Sequence, residues 1–199
     1  MVAPAGGSSR VPDTPPPPPR RFGYYERLTR AQQRIYRRSD EVTRLALPGA
    51  RELHPRVAAL DAALLSEDRG AVQVASQLLF TGLTQAFAVG PCRVEVLAAR
   101  PHNRWGELQG LYTDDRRLPR VQLWMRTARL RRVVAFRTYL RTLLHELGHH
   151  LDYRYLRLAD SFHTQGFYMR ESSLFHQLVP EARHDALVAG AASPDGEEP

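Results

Sequence analysis

Residues 145–152 of this chain read HELGHHLD, and the interpretation of the whole sequence starts from them. His145 and His149 stand four positions apart. On an α-helix this spacing places both side chains on one face, from which both can reach a single metal ion. Glu146, beside the first histidine, can then take a proton from the water that attacks the substrate. The stretch therefore predicts a metal site with Glu146 as its catalytic base.

The motif lies in a long segment that favours helix, from about residue 128 to residue 158, which contains no proline and only one glycine, Gly148. On that helix His145 and His149 lie roughly opposite an apolar stripe, among small side chains. We expect His150 to point elsewhere. Asp152 lies near the ligand side, where it either orients a ligand histidine or remains a surface carboxylate. The stripe consists of Val133, Phe136, Leu140, Leu143, Leu144, Leu147 and Leu151.

A catalytic zinc site needs a third protein ligand and one open position. Residues 160–171 offer two main candidates, His163 and Glu171, and a weaker one, Asp160. If this segment is helical, Glu171 shares a face with His163 and with apolar side chains. A carboxylate there needs a partner because burying an unpaired charge is costly. Either residue can therefore contact the metal while the other supports it. The candidate donors to a developing oxyanion are His176, Tyr168 and Tyr153.

The HExxH motif makes the chain similar to the zincin metallopeptidases. The segment after it resembles the SprT-like and related intracellular metalloproteases, since His163 follows His149 by fourteen residues and Phe167 follows His163 by four. This resemblance implies that His145, His149 and His163 bind zinc and that Glu146 is the general base. It also implies a mixed sheet above the active-site helix, with an edge strand that binds substrate.

Other families of zincin metallopeptidases suggest a different third metal ligand. The gluzincins use a downstream glutamate, which here would be Glu171. The metzincin pattern requires a histidine six residues after His149, and Tyr155 occupies that position. The zinc ribbon that often follows in SprT-like proteins needs several cysteines, and Cys92 is the only one.

The remaining chain predicts an α+β fold with one domain at residues 20–180. A helical scaffold covers residues 20–90, with helices at 20–47, from Pro55 to 65 and at 71–87. Residues 91–180 hold three strands (94–97, 107–112 and 121–125) in a small mixed or antiparallel sheet packed on the long active-site helix. We expect His54 and His102 to lie in loops. The proline-rich arm at 1–19 is expected to be disordered, and the tail at 181–199 disordered or frayed.

The composition and charge of the chain limit the classes of function that it fits. The net charge is +7, and all 28 basic residues are arginines. No apolar run is long enough for a membrane span, and the N-terminal residues lack the apolar core of a signal peptide, so we expect a cytoplasmic protein. The first hypothesis is a zinc-dependent metallopeptidase that acts on protein or peptide substrates. The alternative is a non-catalytic metal-containing module that contacts nucleic acid or an acidic partner through its arginine-rich N-terminal region. A third is a hydrolase of this design that acts on a non-peptide bond.

Overall fold

The computed structural model describes residues 22–103, 106–115 and 117–180, with the backbone alone for 102, 103 and 106. The predictions for residues 1–19 and 181–199 lie outside the described residues. In the described part, helices α1 to α3 precede a small sheet, and helices α4 and α5 follow it. This arrangement confirms the α+β class.

Helix α1 (Arg30–Glu41) is shorter than the helix predicted at residues 20–47. It begins at a capping box, in which the side chains of Thr29 and Gln32 each accept a backbone N–H of the other residue. Of the residues described before it, Tyr25–Arg27 form a short 3-10 turn. The arginines of α1 at positions 30, 34, 37 and 38 are exposed, so one face of this helix is basic.

Helices α2 (Ala50–Leu65) and α3 (Arg69–Ala86) form the rest of the N-terminal scaffold. The prediction that α2 begins at Pro55 is wrong, because the helix begins five residues earlier and contains this proline in its second turn. A proline there removes one backbone hydrogen bond and is tolerated at that cost. His54 consequently lies in α2, not in a loop, and its Nε2 is 3.0 Å from the carbonyl oxygen of Gln177.

The sheet is mixed. It contains β1 (Arg93–Ala99), β4 (Gly110–Thr113) and β5 (Arg120–Arg126), and a separate hairpin joins β2 (His102–Asn103) to β3 (Gly106–Glu107). The strand order is β1-β5-β4, with β1 parallel and β4 antiparallel to β5. The predicted strand at 107–112 is therefore only partly correct, since its first residue belongs to the hairpin. His102 lies in β2 instead of a loop. β4 is an edge strand.

Helix α4 (Phe136–Arg154) carries the HExxH motif and is shorter at both ends than the predicted helix at 128–158. Before it, Val133 forms an isolated bridge with Arg126, and after it Arg157 has a φ of 52°. The predicted apolar face is confirmed for the leucines at 140, 143, 144, 147 and 151, which are all buried in the core. Helix α5 (Gln165–Leu178) packs against α4. In the described part of the chain, no helix combines the length and apolarity that crossing a membrane requires.

Candidate metal site

Three histidines meet where α4 faces the segment that leads into α5. The Nε2 atom of His163 lies 2.9 Å from that of His145 and 3.1 Å from that of His149. Nitrogens that share a tetrahedral zinc ion lie about 3.3 Å apart, given zinc–nitrogen bonds of roughly 2.0–2.1 Å. One ligand atom from each residue lies within 4.8 Å of the others, so the three are close enough to bind one metal ion.

The hydrogen bonds of His149 fix its ring for this role. The hydroxyl of Ser161 donates to Oδ2 of Asp152 over 2.8 Å, so Nδ1–H of His149 donates to the same hydroxyl oxygen over 2.7 Å. The proton therefore sits on Nδ1, and the Nε2 lone pair faces the other two histidines. Burial lowers the pKa of His149 to about 3, with smaller contributions from the neighbouring histidines. A neutral imidazole is the form that binds metal.

The support for His149 continues into the protein core. Asp152 is fully buried, and its Oδ1 accepts a hydrogen bond from Arg170 over 2.7 Å. Arg170 is only 2% exposed and also donates to the backbone oxygens of Ser39 and Val42 at the end of α1. Asp152 thus supports the histidine through Ser161 and does not contact it directly.

His145 has a different kind of support. Its Nδ1 lies 3.2 Å from Oε2 of Glu171, which leaves its Nε2 free to face the other histidines. The second carboxylate oxygen of Glu171 lies 3.6 Å from Arg141. The Arg141 side chain is 41% exposed, so this support lies at the cleft surface. Of the two main candidates for the third ligand, the structure brings His163 to the ligand atoms and places Glu171 behind His145.

The third histidine, His163, is held by contacts near it in sequence and by Tyr24, which precedes α1. Thr164 caps α5 by accepting the N–H of Phe167, and the hydroxyl of Tyr24 donates to the backbone oxygen of His163 over 2.9 Å. The ring of Phe167 lies against Gly148, where an added Cβ would be 2.8 Å from the nearest ring carbon. The glycine in the motif therefore lets the segment that carries His163 approach α4.

His145, His149 and His163 are called the histidine triad below. Glu146 lies beside this triad and is largely shielded from solvent. It is 4% exposed, and burial raises the pKa of its carboxyl to about 7, against the lowering effects of His145 and a backbone hydrogen bond from Tyr112. A base with a pKa near neutrality suits proton transfer at physiological pH. Gly110 allows β4 to lie close to Glu146, because a Cβ at this position would collide with the Glu146 carboxylate.

An open cleft of about 760 Å³ runs over the triad between α4 and β4. Tyr112 and Tyr153 line it at one end, and Leu108, Thr138 and Arg141 line it at the other. Tyr168 also lines the cleft, with its ring stacked on that of His163. Tyr153 and Tyr168 thus remain candidate oxyanion donors.

The other predicted residues lie away from the triad. His150 points elsewhere, as expected, with Nε2 3.0 Å from the carbonyl oxygen of Gly90. Asp160 accepts the N–H of Ser161 instead of joining the triad. His176 bonds the backbone oxygen of Ser172 and lines a separate cavity between α5 and residues 43–46, so it is not positioned as an oxyanion donor.

Sequence reasoning missed four residues that the site uses: Ser161, Arg170, Tyr112 and Arg141. No spacing rule points to Ser161, because a serine is common in loops and its partners are distant in sequence or on another element. Arg170 carried a usable signal, since an arginine between apolar positions of α5 needs a buried partner.

Comparisons of the chain with protein-family models, with curated proteins and with solved structures gave no match. The resemblance to SprT-like metalloproteases therefore stays a prediction from the motif and its spacing.

Proposed function

We propose that the protein is a zinc-dependent metallopeptidase with His145, His149 and His163 as metal ligands and Glu146 as general base. The observation that carries this proposal is the hydrogen bonding of the triad. Two of the three imidazoles have their Nδ1 protons engaged by Ser161 and Glu171, which directs their Nε2 lone pairs to one point. Three nitrogen ligands with a glutamate alongside are the donor set of a catalytic zinc site.

A zinc ion held by His145, His149 and His163 would supply a Lewis acid able to polarise the substrate carbonyl. Glu146 takes the proton of the attacking water at its carboxylate, and the N–H of Tyr112 holds that carboxylate in place. The same carboxyl then returns the proton to the leaving amine, which needs an acid with a pKa near neutrality. Tyr168 or Tyr153 donates its phenolic hydrogen to the developing oxyanion.

The edge strand supports a peptide as the substrate. Among the described strands β4 pairs with β5 alone, and its residues 110–112 line the cleft, with Gly110 over Thr142 and Glu146. An extended peptide adds to such an edge through backbone hydrogen bonds, which do not depend on its side chains. The bond at the metal is then a main-chain amide. A zincin-like packing of sheet on helix and a protein or peptide substrate are parts of this proposal.

Hydrolysis of a denatured protein by the zinc-loaded full chain tests the proposal. We expect cleavage, and we expect Glu146→Gln to reduce its rate by about 10²–10⁴-fold because the base is lost. The variant is the matched control for metal content, since it removes no ligand. Equal rates for Glu146→Gln and the parent, or no hydrolysis by the loaded parent, contradict the proposal.

A further inference from the structure

The two ends of the cleft differ in chemistry. Tyr153 stands one helical turn after His149 on α4, and Arg141 stands one turn before His145. The Tyr153 end is aromatic, since the ring of this residue stacks on that of Tyr112. The Arg141 end combines a cation with the small side chain of Thr138 and the exposed Leu108. A substrate that crosses the triad therefore meets one aromatic and one cationic end.

Arg141 is the one arginine among the described residues that line this cleft. Two carboxylates of the described residues line the cleft, and both have other contacts: Glu146 lies beside the histidine triad, and Glu171 is bonded to His145. The ion pair between Arg141 and Glu171 is long, at 3.6 Å, and is exposed on the arginine side. Exposed ion pairs of this kind are weak and leave the cation able to bind another anion.

The guanidinium is also held ready for a second partner. Its carbon lies 4.0 Å from the centre of the Phe175 ring, so the group packs over this face. Stacking engages a face of the guanidinium plane and leaves the N–H donors at its edge. An arginine carries five such donors in a planar fork that matches the two oxygens of a carboxylate. A single distant contact to Glu171 leaves most of them available.

We infer that Arg141 recognises a carboxylate of the substrate at this end of the cleft. The inference rests on the proposed function. Gly110, the first residue of β4, lies over Thr142, whereas Tyr112 lies by Tyr153. β4 thus runs away from the Arg141 end, and a peptide added antiparallel to it runs towards Arg141. For a peptide added in this antiparallel sense, the carboxylate belongs to a residue on the C-terminal side of the reacting bond, as an acidic side chain or the chain terminus.

Three peptide hydroxamates distinguish these sources, because the hydroxamate fixes one end of each ligand on the metal. The first carries Glu and a C-terminal amide, the second Gln and an amide, and the third Gln and a free C-terminal carboxylate. Calorimetry measures their Kd values for the zinc-loaded full chain. We expect at least one carboxylate ligand to bind roughly tenfold more tightly than the neutral peptide, as a charge-assisted hydrogen bond provides.

Variants assign this preference to Arg141. Arg141→Gln abolishes it, Arg141→Lys keeps part of it because the charge remains, and the control Arg137→Gln, one turn earlier on α4, keeps all of it. Equal affinity of the parent for the three ligands, or a preference that survives in Arg141→Gln, overturns the inference. Failure of every hydroxamate to bind overturns both this inference and the metal site. A preserved preference without substrate cleavage overturns the peptidase proposal alone.

Discussion

His145 and His149 lie one turn apart on the same helix and present the same nitrogen to the same point, yet they are supported in opposite ways. His149 is bonded to Ser161, and behind it lies a fully buried pair, Asp152 and Arg170. His145 is bonded to Glu171, whose further partner is the half-exposed Arg141. One histidine is thus connected to the core and the other to the cleft surface.

This difference separates two functions of supporting residues. The series of hydrogen bonds behind His149 also joins α4 and α5 to the end of α1, because Arg170 donates to the backbone oxygens of Ser39 and Val42. Its loss should affect the fold and the metal together. The contact behind His145 joins α4 to α5 at the cleft surface, without the further link to α1, and its loss should affect the metal site with little effect on the fold. Three substitutions test this contrast.

The largest effect is expected from Asp152→Ala. It leaves the buried guanidinium of Arg170 without its carboxylate, which costs about 3–5 kcal/mol of unfolding free energy. It also removes the acceptor that orients the Ser161 hydroxyl. Urea denaturation measures the loss, with Asp61→Ala on the partly exposed side of α2 as a control. A change below about 1 kcal/mol would show that the pair is not a main support of the fold.

Ser161→Ala should act mainly on the metal. The substitution removes the oxygen that fixes the tautomer of His149, and loss of such a partner typically weakens metal binding by about 10–100-fold. The unfolding free energy should fall by only about 1–2 kcal/mol, since one buried carboxylate oxygen loses its donor. Competition with a zinc chelator measures the affinity, and Ser172→Ala on α5 is the control. Unchanged zinc affinity would contradict the assigned role.

Glu171→Gln should have the smallest effect. The amide oxygen can still accept from Nδ1 of His145, so zinc affinity should fall by less than about tenfold. Stability should stay within about 1 kcal/mol of the parent, because the ion pair with Arg141 is exposed. The same two measurements apply. A loss of stability equal to that of Asp152→Ala would remove the contrast between the two supports.

The sequence predicts those parts of the site that depend on local geometry. Helical spacing alone places His145, Glu146 and His149 at the proposed metal site, and the leucines opposite them identify the buried face. It leaves His163 and Glu171 as alternatives, because the choice depends on how the segment before α5 returns to α4. A Cβ at Gly148 would collide with Phe167, so this return requires a contact that neither segment reveals by itself.

The less accurate predictions concern where elements begin. The strand predicted from residue 107 begins at Gly110, because Gly106 and Glu107 pair with β2 instead of β5. α2 includes Pro55 because the residues before it already form a helical turn. In both places the sequence pattern predicts the correct type of element, and the start of the element differs: pairing with β2 shifts the strand, and the helical turn before Pro55 shifts α2.

In the proposed site three histidines, and not Glu171, hold one metal ion beside Glu146. The most direct test is the metal content of His163→Ala and Glu171→Ala after loading with zinc and dialysis, measured by atomic spectroscopy. We expect about one zinc per chain in the parent and in Glu171→Ala, and loss of zinc in His163→Ala. Retention of zinc in His163→Ala together with its loss in Glu171→Ala would contradict this assignment of the ligands.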